Sequence, residues 1–158
     1  MFKKITILIL LGVMTSCGYE AQYSQKNLIL YGNISIKSLN ISGDRTVNIR
    51  IKNLLTNYSN IEKEQNFVIN LKTETSKWVV SKDSKGDPLR YKIQIDTEVT
   101  AIRTRDNKKI NLIFTKNYGY NNSGDVSALR ETEREIKISL AEVISQELIL
   151  RLVNFDDY

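Results

Sequence analysis

The chain has one cysteine, Cys17, and it stands directly after Met14-Thr15-Ser16 at the end of an apolar run. Lys3 and Lys4 precede that run, and Ile5 to Met14 is interrupted only by Thr6 and Gly12. The run is too short to cross a bilayer, which takes about 20 apolar residues. It matches the apolar region of a secretory signal, typically ~7–15 residues long. Small residues just before a cysteine in that position have the pattern of a lipobox, where the peptide is cut between Ser16 and Cys17 and the cysteine is acylated. Met14 occupies the place where leucine is usual. The competing reading is an ordinary signal peptide with a chance cysteine, and it leaves the placement of this single cysteine unexplained.

Two basic clusters form the second group with chemical potential. Arg103, Arg105, Lys108 and Lys109 fall within seven positions around a turn. Cations gathered at a hairpin tip suit an anionic head group, because charge-assisted contacts to phosphate are the strong ones. The plain alternative is a solvated turn. Arg90 and Lys92 are a weaker candidate, since Asp96 and Glu98 share their strand face. Catalytic constellations are missing. With no histidine and no cysteine after Cys17, Ser-His and Cys-His pairs and ordinary zinc sites are excluded. Neither a phosphate-binding glycine loop nor a Gly-x-Ser-x-Gly elbow occurs. Glu131 and Glu135 fall on a charged helix face, and Arg130 and Arg134 flank Glu133 closely enough to pair with it. No catalytic residue, metal ligand or cofactor is expected. The Asn-x-Ser triplets at Asn33, Asn40, Asn57 and Asn121 are chance matches in an Asn-rich sequence.

The elements that position these groups are legible from periodicity. A first strand is expected near 33–41, with Ile34, Ile36, Leu39 and Ile41, closed by Gly43-Asp44. Asp44 can cap a helix whose stripe is Val47, Ile51, Leu54, Leu55 and Tyr58. Phe67, Ile69 and Leu71 alternate in a second strand that resumes at Trp78-Val79-Val80, with a bulge expected between Leu71 and Trp78. Asp83 to Pro88 is a turn by composition. In the third strand Leu89, Tyr91, Ile93, Ile95, Val99 and Ala101 face one way, and Arg90, Lys92, Gln94, Asp96, Glu98 and Thr100 the other. Such long period-two alternation gives one buried and one wet face. Trp78 and Tyr91 are expected in the core. Ile110, Leu112 and Phe114 open a fourth strand. After a polar loop at 121–125, a long helix from Val126 to Leu152 carries Leu129, Ile136, Leu140, Val143, Ile144, Leu148 and Leu152. Asp156-Asp157 is expected to be a polar tail.

A strand–helix–strand crossover followed by a meander gives an α+β fold, a two-layer α/β sandwich. Its four-stranded mixed sheet carries two helices on one face, in the order β-α-β-β-β-α. The chain divides into a signal peptide (1–16), a lipidated tether (17–32) and a single domain (33–158). Removing residues 1–16 takes two lysines and no acid from 23 basic and 18 acidic residues, so the formal charge falls from +5 to +3. That balance is too weak to argue for nucleic acid and is compatible with an anionic membrane or glycolipid. A cysteine-free exported domain must fold on its core alone.

These residues together resemble the lipopolysaccharide-assembly lipoprotein LptE family, alphaproteobacterial type. Cys17-Gly18-Tyr19 is similar to the Cys-Gly-Phe/Tyr start of that family. Asp44-Arg45 opens a helix ending Asn53-Leu54-Leu55. Tyr118 and Tyr120, the Ser/Asn/Gly loop, Ser127-Ala128-Leu129 and Glu133 follow the family's late pattern, although Thr132 and Ile136 stand where small residues are common. The resemblance covers nearly the whole precursor. It implies an outer-membrane lipoprotein on the periplasmic face that plugs and helps assemble the LptD β-barrel and binds lipopolysaccharide, without enzymatic activity. Gly18 fits outer-membrane sorting. The choice of Arg103, Arg105, Lys108 and Lys109 for lipopolysaccharide rests on charge clustering and not on the resemblance. A pilotin or assembly factor for another barrel is the alternative. An enzyme using only Ser, Lys or carboxylates is a third, and no residue cluster points to it.

Overall fold

The computed structural model describes residues 33–59 and 62–157. The expected signal segment 1–16, the acylated Cys17 and the tether 17–32 lie outside the described residues. The elements run β1 (Ile34–Gly43), α1 (Arg45–Leu55), β2 (Gln65–Lys82), β3 (Pro88–Arg103), β4 (Lys109–Asn121) and α2 (Val126–Val153), with short 3-10 turns at Thr56–Tyr58 and Phe155–Asp157. The strands lie side by side in the order β1-β2-β3-β4. β1 pairs with β2 in parallel, and the remaining pairs are antiparallel. Both helices bury their apolar stripes against one face of this mixed sheet, as the element order requires.

The first crossover turns on two adjacent residues. Gly43 has φ +107°, and a Cβ there would meet the Thr73 carbonyl oxygen at 1.8 Å, so only glycine fits between the strand and its neighbour. Asp44 then caps α1, its Oδ1 accepting from the amides of Thr46 at 2.9 Å and Val47 at 3.1 Å. Val47, Ile51 and Leu55 lock α1 onto the core. Facing them are Phe67, Ile69 and Leu71 of β2, Ile93, Ile95, Val99 and Ala101 of β3, and Phe114 of β4. Each fully buried aliphatic side chain contributes roughly 1.5–3 kcal/mol relative to exposure. From α2 come Ile136, Leu140, Ile144, Leu148 and Leu152.

Four expectations need correction. β2 has no kink between Leu71 and Trp78. It stays in register with β3 from Phe67↔Arg103 to Val79↔Tyr91, and the irregularities fall at Val79/Ser81 and Ser81/Lys82. Trp78 therefore keeps the phase of Val68 and lies on the uncovered face, 41% exposed and outside the core. Tyr91 does pack on the core edge and stacks on Tyr120 at 5.6 Å. Val143 is exposed, and Ala141, Ser145 and Ile149 are buried on α2 alongside the expected residues. The C-terminal segment is not simply a polar tail. Phe155 is completely buried, and its ring lies 5.1 Å from that of Phe67.

Candidate functional site

The strand register places two distinct ends on the sheet. One end gathers the start of β1, the β3–β4 turn and the C-terminal turn. There Gln65 pairs beside Ile34, Phe67 beside Arg103, and Thr104 N donates to Asn66 O at 2.8 Å. The other end gathers the β2–β3 turn, the end of β4 and the start of α2. Asn122 fastens it, donating from its backbone N to Leu89 O and from Nδ2 to Pro88 O, both at 2.8 Å.

The four cations singled out at the β3–β4 tip do not form one surface. Arg103 follows the inward phase of β3 and is only 2% exposed. Its Nε and Nη2 donate to the two carboxylate oxygens of Asp106 at 3.1 and 2.6 Å, and Nη1 lies 2.7 Å from Asp156 Oδ1. Its guanidinium also sits 4.8 Å from the Phe155 ring centre. Arg103 is therefore committed to binding the C-terminal turn to the hairpin and cannot reach a ligand outside. Arg105, half-exposed, lies 3.6 Å from Asp156 and 3.9 Å from Asp106. Lys108 hangs over the Phe155 ring at 5.5 Å, and Lys109 is exposed. The cations whose head groups can meet an outside anion are thus Lys109, Lys108 and Arg105, the last sharing its charge with Asp156 and Asp106. The hydrogen bonds from Arg103, aided by the Lys108 amide, hold the Asp106 carboxyl down at about 2.

At the opposite end the sequence reading missed a mixed surface. Lys92 Nζ lies 5.9 Å from the Trp78 ring centre, and Arg90 lies across Gly119 on the uncovered face. Val80 and Leu89 are exposed at the same end of the sheet. Extending the parity of Phe67, Ile69 and Leu71 through Val79 would have put Trp78 outside, next to its cross-strand partner Lys92. The premature phase shift hid that neighbourhood.

Charges on α2 that read as a solvated face are cross-links between layers. Glu133 does not pair with Arg130 or Arg134. It accepts from Lys77 of β2 and, at 2.7 Å, from the Tyr120 hydroxyl of β4. Burial alone would raise its carboxyl, but these two donors outweigh that and keep it below the ordinary range. Burial, joined by the same hydrogen bond, pushes the Tyr120 hydroxyl upward. Lys137 reaches the capping Asp44 at 2.7 Å, Lys116 reaches Glu147 at 2.6 Å, and Arg50 joins Glu142. Each of these carboxylates is matched by a cation, which makes the groups structural. Among the described residues, no three His, Cys, Asp or Glu side chains converge on a metal position. No described helix is long and apolar enough to cross a membrane.

No known family profile matches the chain, and no curated protein matches it in sequence. Solved structures do match. Rare lipoprotein B from Shewanella oneidensis aligns over 76% of this chain and 99% of its own, with TM-score 0.51 and 18% identity. A candidate lipoprotein from Caulobacter crescentus CB15 aligns over 80% of this chain and 92% of its own, with TM-score 0.52 and 9% identity. The uncharacterized lipoprotein B from Nitrosomonas europaea aligns over 79% and 88%, with TM-score 0.50 and 10% identity. The domain built by these residues thus has the fold of small bacterial lipoproteins, rare lipoprotein B among them.

Proposed function

We propose that this chain is an outer-membrane lipoprotein of the LptE type, anchored through Cys17 on the periplasmic face, which plugs and helps assemble the LptD β-barrel and binds lipopolysaccharide during its transfer. The observation that carries this reading is the agreement of two independent features. The lipobox pattern at Met14 to Cys17 belongs to a chain whose domain has the fold of rare lipoprotein B over nearly that protein's whole length. The surface agrees with it. One sheet face is covered by helices, and the other is uncovered and mostly polar, which suits a water-filled lumen better than hydrocarbon. Three acyl chains at about 0.8 kcal/mol per buried methylene make attachment effectively permanent.

The test is purification from solubilised outer membranes. The wild-type chain should carry palmitate label and bring down a large β-barrel at one-to-one stoichiometry, and Cys17→Ala should lose the label. An unlabelled wild type would end the lipoprotein reading. Labelled protein with a secretin in place of the translocon barrel would favour the pilotin alternative.

For lipopolysaccharide, the exposed cations at the β3–β4 tip are the groups proposed to meet phosphate, with Arg105 beside Lys108 and Lys109. Charge-assisted contacts contribute roughly 1.5–3 kcal/mol when well placed and much less when exposed. Lys108→Asp with Lys109→Asp should weaken binding to immobilised lipopolysaccharide at least about tenfold, while thermal stability and barrel association persist. A second reading places the phosphates at Arg90 and Lys92, and the exposed Trp78 beside Lys92 favours it, because an amphiphile needs apolar contact as well as charge. Retained affinity in the Lys108/Lys109 variant combined with loss in Arg90→Asp, Lys92→Asp would select that end.

A further inference from the structure

The uncovered sheet face is built in rows, because cross-strand partners point the same way. One row crosses all four strands as Asn40, Asn70, Thr100 and Asn111, and the next as Ser42, Lys72, Glu98 and Ile113. Together these rows line a shallow concavity of about 520 Å³, within the size range of small-molecule sites. From this geometry we infer that the concavity is a saccharide-binding site, sized for a short stretch of uncharged sugar rings.

The chemistry of the lining selects that class. Asn40 Nδ2 donates to Asn70 Oδ1 at 2.9 Å, and Thr100 Oγ1 donates to Asn111 Oδ1 at 3.0 Å. Each bond fixes the orientation of an amide and leaves the Nδ2 hydrogens of Asn70 and Asn111 directed to other partners. A planar amide offers a donor and an acceptor side by side, which matches the vicinal hydroxyls of a sugar ring. Among the described residues no cation lies within ion-pair distance of Glu98: Lys72, across from it, is drawn to Glu74 at 2.6 Å and acts on Glu98 only through space. A carboxylate with no hydrogen-bonded cation can accept from two hydroxyls at once. Ile113, 76% exposed, supplies an apolar wall for the C–H side of a ring.

Other ligands fit less well. An anionic group would meet Glu98 while the nearby cation is engaged elsewhere. An added strand finds no free backbone, because every strand here is paired within the sheet and only the edges of β1 and β4 are open. A purely apolar ligand would leave the amides unsatisfied, which is costly once water is displaced.

The glycan chosen as probe rests on the lipopolysaccharide reading: a neutral oligosaccharide of the core, free of lipid A, phosphate and acidic sugars. It would be titrated calorimetrically into the full-length protein in a detergent without sugar head groups. Wild type should bind with a dissociation constant of about 1 mM or tighter. Asn70→Leu should weaken binding at least about tenfold, and Glu98→Gln should weaken it several-fold without any change in shape. Asn117→Leu, three rows away on the same face, should bind as wild type does. Absence of binding in the wild type overturns the inference, even if a barrel co-purifies. So does unchanged affinity in Glu98→Gln and Asn70→Leu, or an equal loss in Asn117→Leu. Should Asn70→Leu fail to fold, Glu98→Gln alone decides.

Discussion

Ile93→Asp should abolish the cooperative unfolding transition and leave a chain without a stable core. Ile93 is 1% exposed, in the middle of β3, flanked across the sheet by Lys77 and Tyr118 and covered by α2. A carboxylate there would stand beside Lys77, but that ammonium is already held by Glu133, so the new charge would be buried without a cation of its own, which is strongly disfavoured. The loss of apolar packing adds a cavity cost of the kind that large-to-small core changes show. Together these exceed the about 4–5 kcal/mol that marks exceptional single substitutions, against a total stability of about 5–15 kcal/mol for a domain. Gln94, one residue away on the uncovered face, is not a silent control. Its amide donates to both oxygens of Asp96, at 3.1 and 2.8 Å, so Gln94→Asp would replace that bond with carboxylate repulsion. Ser76, its exposed cross-strand partner, is the cleaner site. Ser76→Asp should change stability by only about 0.5 kcal/mol. Circular dichroism melts of the two variants decide the register, and equal melting temperatures would show that β3 faces the other way.

What the sequence revealed and what it concealed divide along one physical line. Where a single period governs an element, the pattern is readable. The alternation from Ile93 to Ala101 in β3 and the stripe Val47, Ile51, Leu55 in α1 are dictated by one buried face each. The cap at Asp44 is local chemistry and equally visible. The errors arose where a long-range contact overrides the local signal. Arg103 looks like a tip cation because its neighbours are basic. It is buried because β3's inward phase continues past Ala101 and because Asp156, more than fifty positions later, meets it. Phe155 looks like part of a polar tail, yet Phe67 waits for it near the start of β2. Glu133 sits between two arginines in sequence, but Lys77 and Tyr120 reach it from the sheet below. The concavity of Asn40, Asn70, Thr100 and Asn111 was illegible for the same reason: its residues come from four strands whose register no local pattern specifies.

The buried guanidinium yields the second large effect. Arg103→Ala should destabilise the domain by about 1.5–3 kcal/mol, the range for hydrogen bonds to charged groups, because the guanidinium is buried while water can reach the acids left behind. The argument has three parts. The carboxylates of Asp106 and Asp156 both converge on Arg103, so its removal leaves two anions facing each other across the vacated space. The guanidinium lies 4.8 Å from the Phe155 ring centre, so its loss also opens the packing that seats the C-terminal turn. Arg105→Ala, which touches the same acids from a half-exposed position at 3.6 and 3.9 Å, should cost no more than about 1 kcal/mol. Urea melts of the two variants measure the contrast, and comparable midpoints would mean that the buried position of Arg103 confers no advantage. Acid provides an independent readout. Asp106 is held at about 2 in the folded domain, chiefly by the hydrogen bonds from Arg103, against about 3.9 for an unfolded aspartate. A carboxyl depressed on folding stabilises above its unfolded value, and that contribution is lost as pH falls from about 4 to 2. Wild-type stability should therefore drop through that window, and the part of the drop owed to Asp106 should vanish in Arg103→Ala, giving a flatter profile. An identical acid profile in both proteins would separate Asp106 from Arg103 and leave the seating of Phe155 as the sole role of the arginine.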